Sequence, residues 1–291
     1  MPGGEPPVNP PLLETRNLEF EYPDGQAALG GISLRIERGE FIALIGQNGS
    51  GKTTLAKHFN GLLRPTRGQV LLNGEEVGER SVGDLARTIG YVFQNPDHQI
   101  FSATTREEIA FGPANLGLKE SEVAQRTQQA MDDFDLTPYA NLQPALLSFG
   151  LRRKVSVAAV YAMRTQVLIL DEPSAGLDWR GAEELMRRVA DLNRQGHTIL
   201  LITHDMRLVA AHAARCLLLR AGSLLADGPT RQILGKAELL RQTDMQAPQI
   251  TELGHRLASR GMSGTMLSVA EFCTAYGELK TGGEARHASR R

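Results

Sequence analysis

The run Gly46-Gln47-Asn48-Gly49-Ser50-Gly51-Lys52-Thr53-Thr54 sets glycines, a lysine and hydroxyls at a spacing that suits one task, the cradling of a polyphosphate. Glycines let the backbone curl until successive N–H groups point inward at an anion, and a helix that follows adds its positive N-terminal end. In that setting Lys52 reaches the β- and γ-phosphates as a point charge, and the Thr53 hydroxyl is a ligand for Mg2+. Two adjacent acids, Asp171-Glu172, follow the wholly apolar Val167-Leu168-Ile169-Leu170. Beside a polyphosphate such a pair works through metal and water: Asp171 holds Mg2+, and Glu172 polarises the attacking water. Gln94 leaves the apolar run Ile89–Phe93 and reads either as a surface residue or as a group reaching the metal or the water. His204 leaves Thr198–Thr203 and can face the γ-phosphate from a third strand, a context the other histidines lack.

These groups need elements to hold them. Glu40-Phe41-Ile42-Ala43-Leu44-Ile45 has the length and β-branched content of a buried strand, and Leu55 to Asn60 continues as a helix until Gly61. The apolar runs at 167–170 and 198–202 are those of central parallel strands, which deliver chemistry at their carboxyl ends. Leu13 to Glu21, the turn Tyr22-Pro23-Asp24-Gly25 and the alternating Ile32–Ile36 predict a small antiparallel sheet beside the phosphate loop. Gly68 to Leu72 runs into an Asn73-Gly74 turn. Tyr22 is open to two readings, packing within that sheet or a flat platform for an adenine ring.

From about Thr104 to Leu146 strand signals vanish. Helix-forming stretches such as Glu120–Phe134 alternate with breaks at Gly112-Pro113 and Thr137-Pro138, the texture of a helical insertion. Ser148 then caps a helix from Leu151 to Met163, so a second helix start offers N–H groups to an anion. Cys216 to Leu225 reads as a terminal hairpin. Beyond it, Pro248 to Gly261 places Ile250, Leu253 and Leu257 on one helical face, Ser268 to Tyr276 is a second short amphipathic segment, and the basic, small-residue tail from Thr281 reads as disordered.

Composition narrows the class. A hydrophobic content of 41% supports a sizeable core, and a net charge of −1 gives no electrostatic case for binding nucleic acid or an anionic membrane surface. Cys216 and Cys273 stand far apart with no C-x-x-C context, which reads as structural thiols in a reducing compartment. The proline-rich Met1–Pro11 reads as a loose leader without the apolar stretch of a signal peptide, and no window approaches the roughly 18 apolar residues a spanning helix needs. The expectation is a cytoplasmic protein that docks on its partners.

Taken in order, the phosphate loop, Gln94, Leu147-Ser148-x-Gly150, Asp171-Glu172-Pro173, Ser174-Ala175-Gly176-Leu177-Asp178 and His204 resemble the ATP-binding subunit of an ATP-binding cassette (ABC) transporter, over roughly residues 13 to 230. Val92-Phe93-Gln94-Asn95-Pro96-Asp97-His98-Gln99-Ile100-Phe101, Ala110-Phe111-Gly112-Pro113 and Ala247-Pro248-Gln249-Ile250-Thr251 are similar to its energy-coupling-factor and cobalt/nickel importer branch.

The resemblance implies an α/β fold: a P-loop NTPase core with a small antiparallel β subdomain, a helical insertion and a short C-terminal helical appendage. Its implied limits are an ATPase domain over 12–230 with the insertion at about 95–163, an appendage over 231–280, and disordered ends at 1–11 and 281–291. It implies ATP and Mg2+ as cofactors, with Tyr22, the loop from Gly46 to Thr54, Ser148 and Gly150 on the nucleotide, Thr53, Gln94 and Asp171 on the metal, and Glu172, His204 and Gln94 in catalysis. Two such subunits, identical or paralogous, close head to tail around two ATP molecules, so that the loop, Gln94, Asp171, Glu172 and His204 of one face Ser148 and Gly150 of the other. Closure then pulls on an integral membrane coupling subunit and a substrate-binding membrane subunit at the cytoplasmic face of the cell membrane, importing a metal ion (cobalt or nickel) or a vitamin, with no nucleic acid partner. Ile100, Phe101 and Phe111 read either as a groove for the coupling subunit or as insertion core.

The alternative is a soluble cassette ATPase of DNA repair or translation, but the long coiled-coil insertion of the first and the second phosphate loop of the other do not occur here. A non-hydrolysing sensor would be favoured by loss of Glu172 or His204, and both are present. The sequence departs from the family pattern where the signature would read L-S-G-G-Q, because Phe149 replaces a glycine and Leu151 an amide. That implies a composite site that hydrolyses more slowly, or one half of an unequal pair. Trp179, directly after Asp178, is also unusual, and the sequence offers no account of it.

Overall fold

Alternation along the strands sorts their side chains onto two faces, and each face builds its own core. The computed structural model describes residues 10–288. In chain order the strands are β1 (Leu13–Glu21), β2 (Ala27–Ile36), β3 (Phe41–Ile45), β4 (Arg67–Leu72), β5 (Glu75–Glu76), β6 (Ile89–Val92), β7 (Val167–Asp171), β8 (Thr198–Ile202), β9 (Arg215–Arg220) and β10 (Ser223–Pro229). The helices are α1 (Lys52–Phe59), α2 (Val82–Ala86), α3 (Thr105–Asn115), α4 (Glu120–Asp133), α5 (Phe149–Met163), α6 (Trp179–Arg194), α7 (Met206–His212), α8 (Thr230–Leu234), α9 (Ala237–Arg241), α10 (Gln249–Arg256) and α11 (Val269–Ala288).

A six-stranded sheet runs β10-β9-β3-β8-β7-β6, and a four-stranded antiparallel sheet runs β2-β1-β4-β5. In the larger sheet β9, β3, β8, β7 and β6 are parallel, and β10 folds back antiparallel on β9. Ala221 and Gly222, both at positive φ, close that hairpin with a two-residue turn. On β3, Ile42 and Leu44 face the antiparallel sheet and α1, packing in one core with Leu13, Ile32, Leu55 and Phe59. Phe41, Ala43 and Ile45 face the other way, into a core shared with Val155 and Ala158 of α5 and Leu185 and Val189 of α6. Each fully buried aliphatic side chain contributes about 1.5–3 kcal/mol, so the parallel strands, covered on both faces, are the rigid part of the molecule. The expected α/β architecture with a small antiparallel sheet is the one observed.

Between β6 and β7 the chain forms α3, α4 and α5. Thr104 and Glu107 make a reciprocal capping box at the start of α3. The expected break at Gly112-Pro113 does not occur, because both residues lie inside α3. Pro113 removes one i→i−4 hydrogen bond of the last turn, a cost that the packing of α3 on α5 offsets. Gly112 lets α3 press on the end of α5, since an added Cβ would lie 2.5 Å from Met163 Cγ.

Two terminal readings are corrected. Of the leader, residues 1–9 lie outside the described residues, but Pro11 is buried and the Pro10 carbonyl accepts a hydrogen bond from Arg38 Nη1 at 2.8 Å. At the other end, the short segment expected to stop at Tyr276, before a tail disordered from 281, is one helix reaching Ala288, with 289–291 outside the described residues. Alanine, glutamate, lysine and arginine there are good helix formers, and a glycine costs only about 1 kcal/mol in a helix. Arg231 Nη2 meets Glu271 Oε1 at 2.6 Å and ties α11 to α8. That partner, with the Leu267 N–H, holds the Glu271 carboxyl down at about 2.

Candidate functional site

The phosphate loop is built by close backbone approach. Gly46 is buried and a Cβ there would overlap the Leu219 carbonyl oxygen, while at Gly51 a Cβ would lie 2.8 Å from the Ala28 carbonyl oxygen. Any side chain at either place would push β9 or β2 off the loop. Gln47 accepts from the Ser50 N–H at 3.1 Å, and Asn48 and Gly49 form the exposed tip. Lys52 is buried at the start of α1, and its Nζ donates to the carbonyls of Gly46 at 2.8 Å and Gln47 at 2.7 Å. Burial pushes this ammonium below the usual lysine range, with Glu172 and Asp171 opposing the shift.

Strand order then collects groups that are far apart in sequence. The loop leaves β3, Asp171 ends β7, and β8 lies between them and leads to His204. Thr53 Oγ1 donates to Asp171 Oδ2 at 2.8 Å, so two of the three expected metal ligands already meet. The same carboxylate oxygen accepts from the Tyr91 hydroxyl at 3.0 Å. Burial raises the pKa of Asp171, against the pull of Thr53, Tyr91, Lys52 and Lys57. Burial together with Asp171 lifts the Tyr91 phenol far above its usual value, so it stays a donor.

Glu172 is buried and held at a φ of 49°, a left-handed conformation that a non-glycine residue adopts at a cost. Its Oε1 lies 2.9 Å from His204 Nδ1, and its Oε2 accepts from Thr203 Oγ1 at 3.2 Å. The histidine itself is exposed, so a buried carboxylate is paired with a ring open to the site mouth.

The remaining expected residues are placed less directly. Gln94 is exposed, and among the described residues no hydrogen bond joins its amide to Thr53, Asp171 or Glu172. The Tyr22 ring packs edge-on against Phe20, with centroids 4.9 Å apart, and its hydroxyl lies 2.9 Å from Thr54 Oγ1. It is therefore tied to the loop helix as well as packed in its sheet. Ser148 caps α5, accepting from the Leu151 N–H at 3.4 Å, and is exposed. Neither Ser148 nor Gly150 bonds to the phosphate loop among the described residues. Instead the start of α5 leans on the loop after Glu172: a Cβ on Gly150 would lie 3.3 Å from the Gly176 carbonyl, and the Phe149 ring fills the space a Gly176 side chain would need. The guanidinium carbons of Arg152 and Arg153 lie 5.8 and 5.6 Å from that ring centroid.

Four contributors were not identified from the sequence. Tyr91 and Thr203 orient the two acids, and Arg153 is wholly buried, donating from Nη1 to the Phe93 carbonyl at 2.8 Å and from Nη2 to the Gln94 carbonyl. Gln99 adds a second staple, from Nε2 to the Ser156 carbonyl at 2.7 Å. The loop carrying Gln94 is thereby pinned to the helix that begins at Ser148. A phenol inside an apolar strand was the available signal for Tyr91; Arg153 sits in a basic run that reads as helix surface.

A family model described as ABC transporter matches residues 29–175. The chain is 41% identical over 244 residues to the energy-coupling factor transporter ATP-binding protein EcfA of Methanocaldococcus jannaschii, covering 83% of this chain and 88% of that one. It is similar to the solved structure of cbiO1 from Clostridium perfringens, part of the ABC transporter complex cbiONQ, with a TM-score of 0.71, 34% identity, and coverage of 84% of this chain and 99% of that one. A dimer of the ATP-binding cassette MJ0796 in a post-hydrolysis state, bound to ADP and Pi, matches with a TM-score of 0.70 and 26% identity, covering 75% and 99%.

Replacing Tyr91 by Phe keeps the ring and removes one donor to Asp171. The expected cost is about 1.5–3 kcal/mol of stability, the range for hydrogen bonds to charged groups, read from denaturant midpoints. The Mg2+ concentration giving half-maximal ATP turnover should rise as well.

Proposed function

The chain belongs to the ABC transporter family, as an ATPase of energy-coupling-factor type that couples ATP hydrolysis to transport, and from that premise we propose how its residues divide the work and what it assembles with. The observation that carries the reading is the Glu172–His204 contact beside the Thr53–Asp171 contact, at the carboxyl ends of adjacent parallel strands. Such a cluster suits an enzyme that must hold a polyphosphate and activate water in one place.

The loop N–H groups from Gly46 to Thr54 and the N-terminus of α1 bind the β- and γ-phosphates, where Lys52 exchanges its carbonyl partners for phosphate oxygens. Tyr22 receives the adenine ring. Thr53 and Asp171 present hydroxyl and carboxylate oxygen, a donor set that fits Mg2+, and Gln94 completes it from the loop after β6. Bound there, Mg2+ neutralises charge on the phosphate oxygens. Glu172 takes a proton from the attacking water. His204 holds the Glu172 carboxylate through Nδ1 and offers Nε2 to the γ-phosphate. Ser148, exposed, and Gly150, half-buried, stand at the start of α5 without a bond to their own loop and serve the nucleotide of a second ATPase subunit, itself or a paralogue.

Among the described residues no helix is long and apolar enough to cross a membrane. We therefore place the chain peripherally at the cytoplasmic face, driving an integral coupling subunit and a substrate-binding subunit, in line with the cbiONQ complex of its structural relative. Phe101 and Phe111 support a docking groove: they are exposed and meet edge to face at 4.7 Å. Ile100, by contrast, packs on the insertion core. The cargo class, a cobalt or nickel ion or a vitamin, follows the branch resemblance and is set by the membrane subunits.

Three measurements test this reading. Glu172→Gln should lower ATP turnover by roughly 100-fold or more, the scale of general-base catalysis, with ATP binding retained; normal turnover would remove Glu172 from its role. Phe149→Gly combined with Leu151→Gln should raise turnover, because the ring that now fills the Gly176 contact restricts backbone approach at the signature. Purification of the tagged chain from solubilised membranes should recover a polytopic subunit and a ligand-binding one.

A further inference from the structure

Trp179 finds a structural account in the loop that carries His204. It is the first residue of α6, next to the helix cap at Asp178, and its ring is half exposed. The Arg207 guanidinium carbon lies 4.6 Å from the ring centroid. Tryptophan is the best of the aromatic side chains for holding a cation, and a guanidinium also stacks on its face. Arg207 in turn grips Asp205 at both oxygens, from Nε to Oδ1 at 3.1 Å and from Nη2 to Oδ2 at 2.8 Å, while its own backbone N–H caps onto Oδ1 at 2.9 Å. Burial alone would raise the Asp205 pKa, but the Arg207 hydrogen bonds outweigh it and keep the carboxyl below its usual range.

Asp205 is the residue after His204. Its backbone N–H donates to Thr203 Oγ1 at 3.1 Å, and that hydroxyl donates to Glu172 Oε2. Thr203, His204 and Asp205 therefore form one short arch over Glu172, anchored at its far end by Arg207. An ion pair as exposed as this one holds its geometry weakly, because water competes and two flexible side chains must be ordered. A ring lying on the guanidinium removes much of that freedom.

We propose that Trp179 is a positioning residue for hydrolysis: by clamping Arg207 onto Asp205 it holds the His204 arch against Glu172, and so links the loop after Glu172 to the γ-phosphate end of the site. This rests on the reading of Glu172 and His204 as the pair that acts on water and phosphate. It also explains why a large aromatic stands half exposed at the first position of a helix that Asp178 already caps.

The test uses the full chain. Trp179→Ala is expected to lower kcat about tenfold, within the range that misplacement of reacting groups costs, with the KM for ATP changed less than about twofold. Trp179→Phe should recover most of the loss. Arg207→Met should match Trp179→Ala, and the double variant should be no worse than either single one, because both break the same clamp. Trp179 is the only tryptophan in the chain, so its emission in nucleotide-free protein reports the contact directly and should change in Arg207→Met. Unfolding midpoints near that of the parent exclude a general loss of fold. Unchanged kcat in Trp179→Ala, losses that multiply in the double variant, or emission indifferent to Arg207→Met would each overturn the proposal. Glu172→Gln, run alongside, separates the two failures: if it abolishes turnover while Trp179→Ala does not lower it, only the clamp is wrong.

Discussion

One carboxylate oxygen organises the site. Asp171 Oδ2 accepts from Thr53 at the root of the phosphate loop and from Tyr91 on the neighbouring strand, and it is buried where water cannot compete. A buried carboxylate without donors would be neutralised or displaced. With two, it fixes β6, β7 and α1 relative to one another. The next residue inherits that placement: Glu172, turned into a left-handed conformation, is directed to Thr203 and His204 at the end of β8. A strained backbone persists only where its surroundings over-determine it, and here the strands on both sides do so.

Sheet order is what converts distant sequence into one site. Because β8 is inserted between β3 and β7, the loop at 46–54, the acids at 171–172 and His204 emerge on the same edge. The two-core arrangement keeps that edge rigid, with α1 buried between the sheets and α5 and α6 on the other face. The second half of the apparatus belongs to the insertion. Arg153, buried with no carboxylate partner among its hydrogen bonds, is an expensive residue to retain unless its geometry serves a purpose. Here it ties the loop of Gln94 to the helix of Ser148 through two backbone carbonyls.

Much of this was legible in the sequence because it rests on local pattern. Glycines, a lysine and a threonine at fixed spacing specify the loop, and unbroken apolar runs mark the strands that deliver Asp171 and His204. What was not legible depends on contacts between remote residues. Nothing local shows that the middle residue of Arg152-Arg153-Lys154 turns inward, or that the Tyr91 hydroxyl finds Asp171. Pro113 inside α3 and the run of α11 to Ala288 depart from the sequence expectation for the opposite reason: tertiary packing and helix-forming neighbours outweigh local breakers and small residues. Of the two readings of Tyr22, the packing one is observed, with the ring on Phe20 and the hydroxyl at Thr54.

In the proposed assembly each chain is half of a composite: its loop and acids serve its own nucleotide, and its Ser148 serves that of a second chain. The direct measurement is complementation between two inactive variants of the purified protein. Lys52→Ala removes the loop's charge and keeps Ser148, whereas Ser148→Arg blocks the start of α5 and keeps the loop. Each alone should fail to turn over ATP, and mixing the two should restore turnover, because one intact composite site forms in every mixed pair. A mixture as inactive as its components would contradict pairing between two copies of this chain, and full activity of Ser148→Arg alone would contradict the composite site itself.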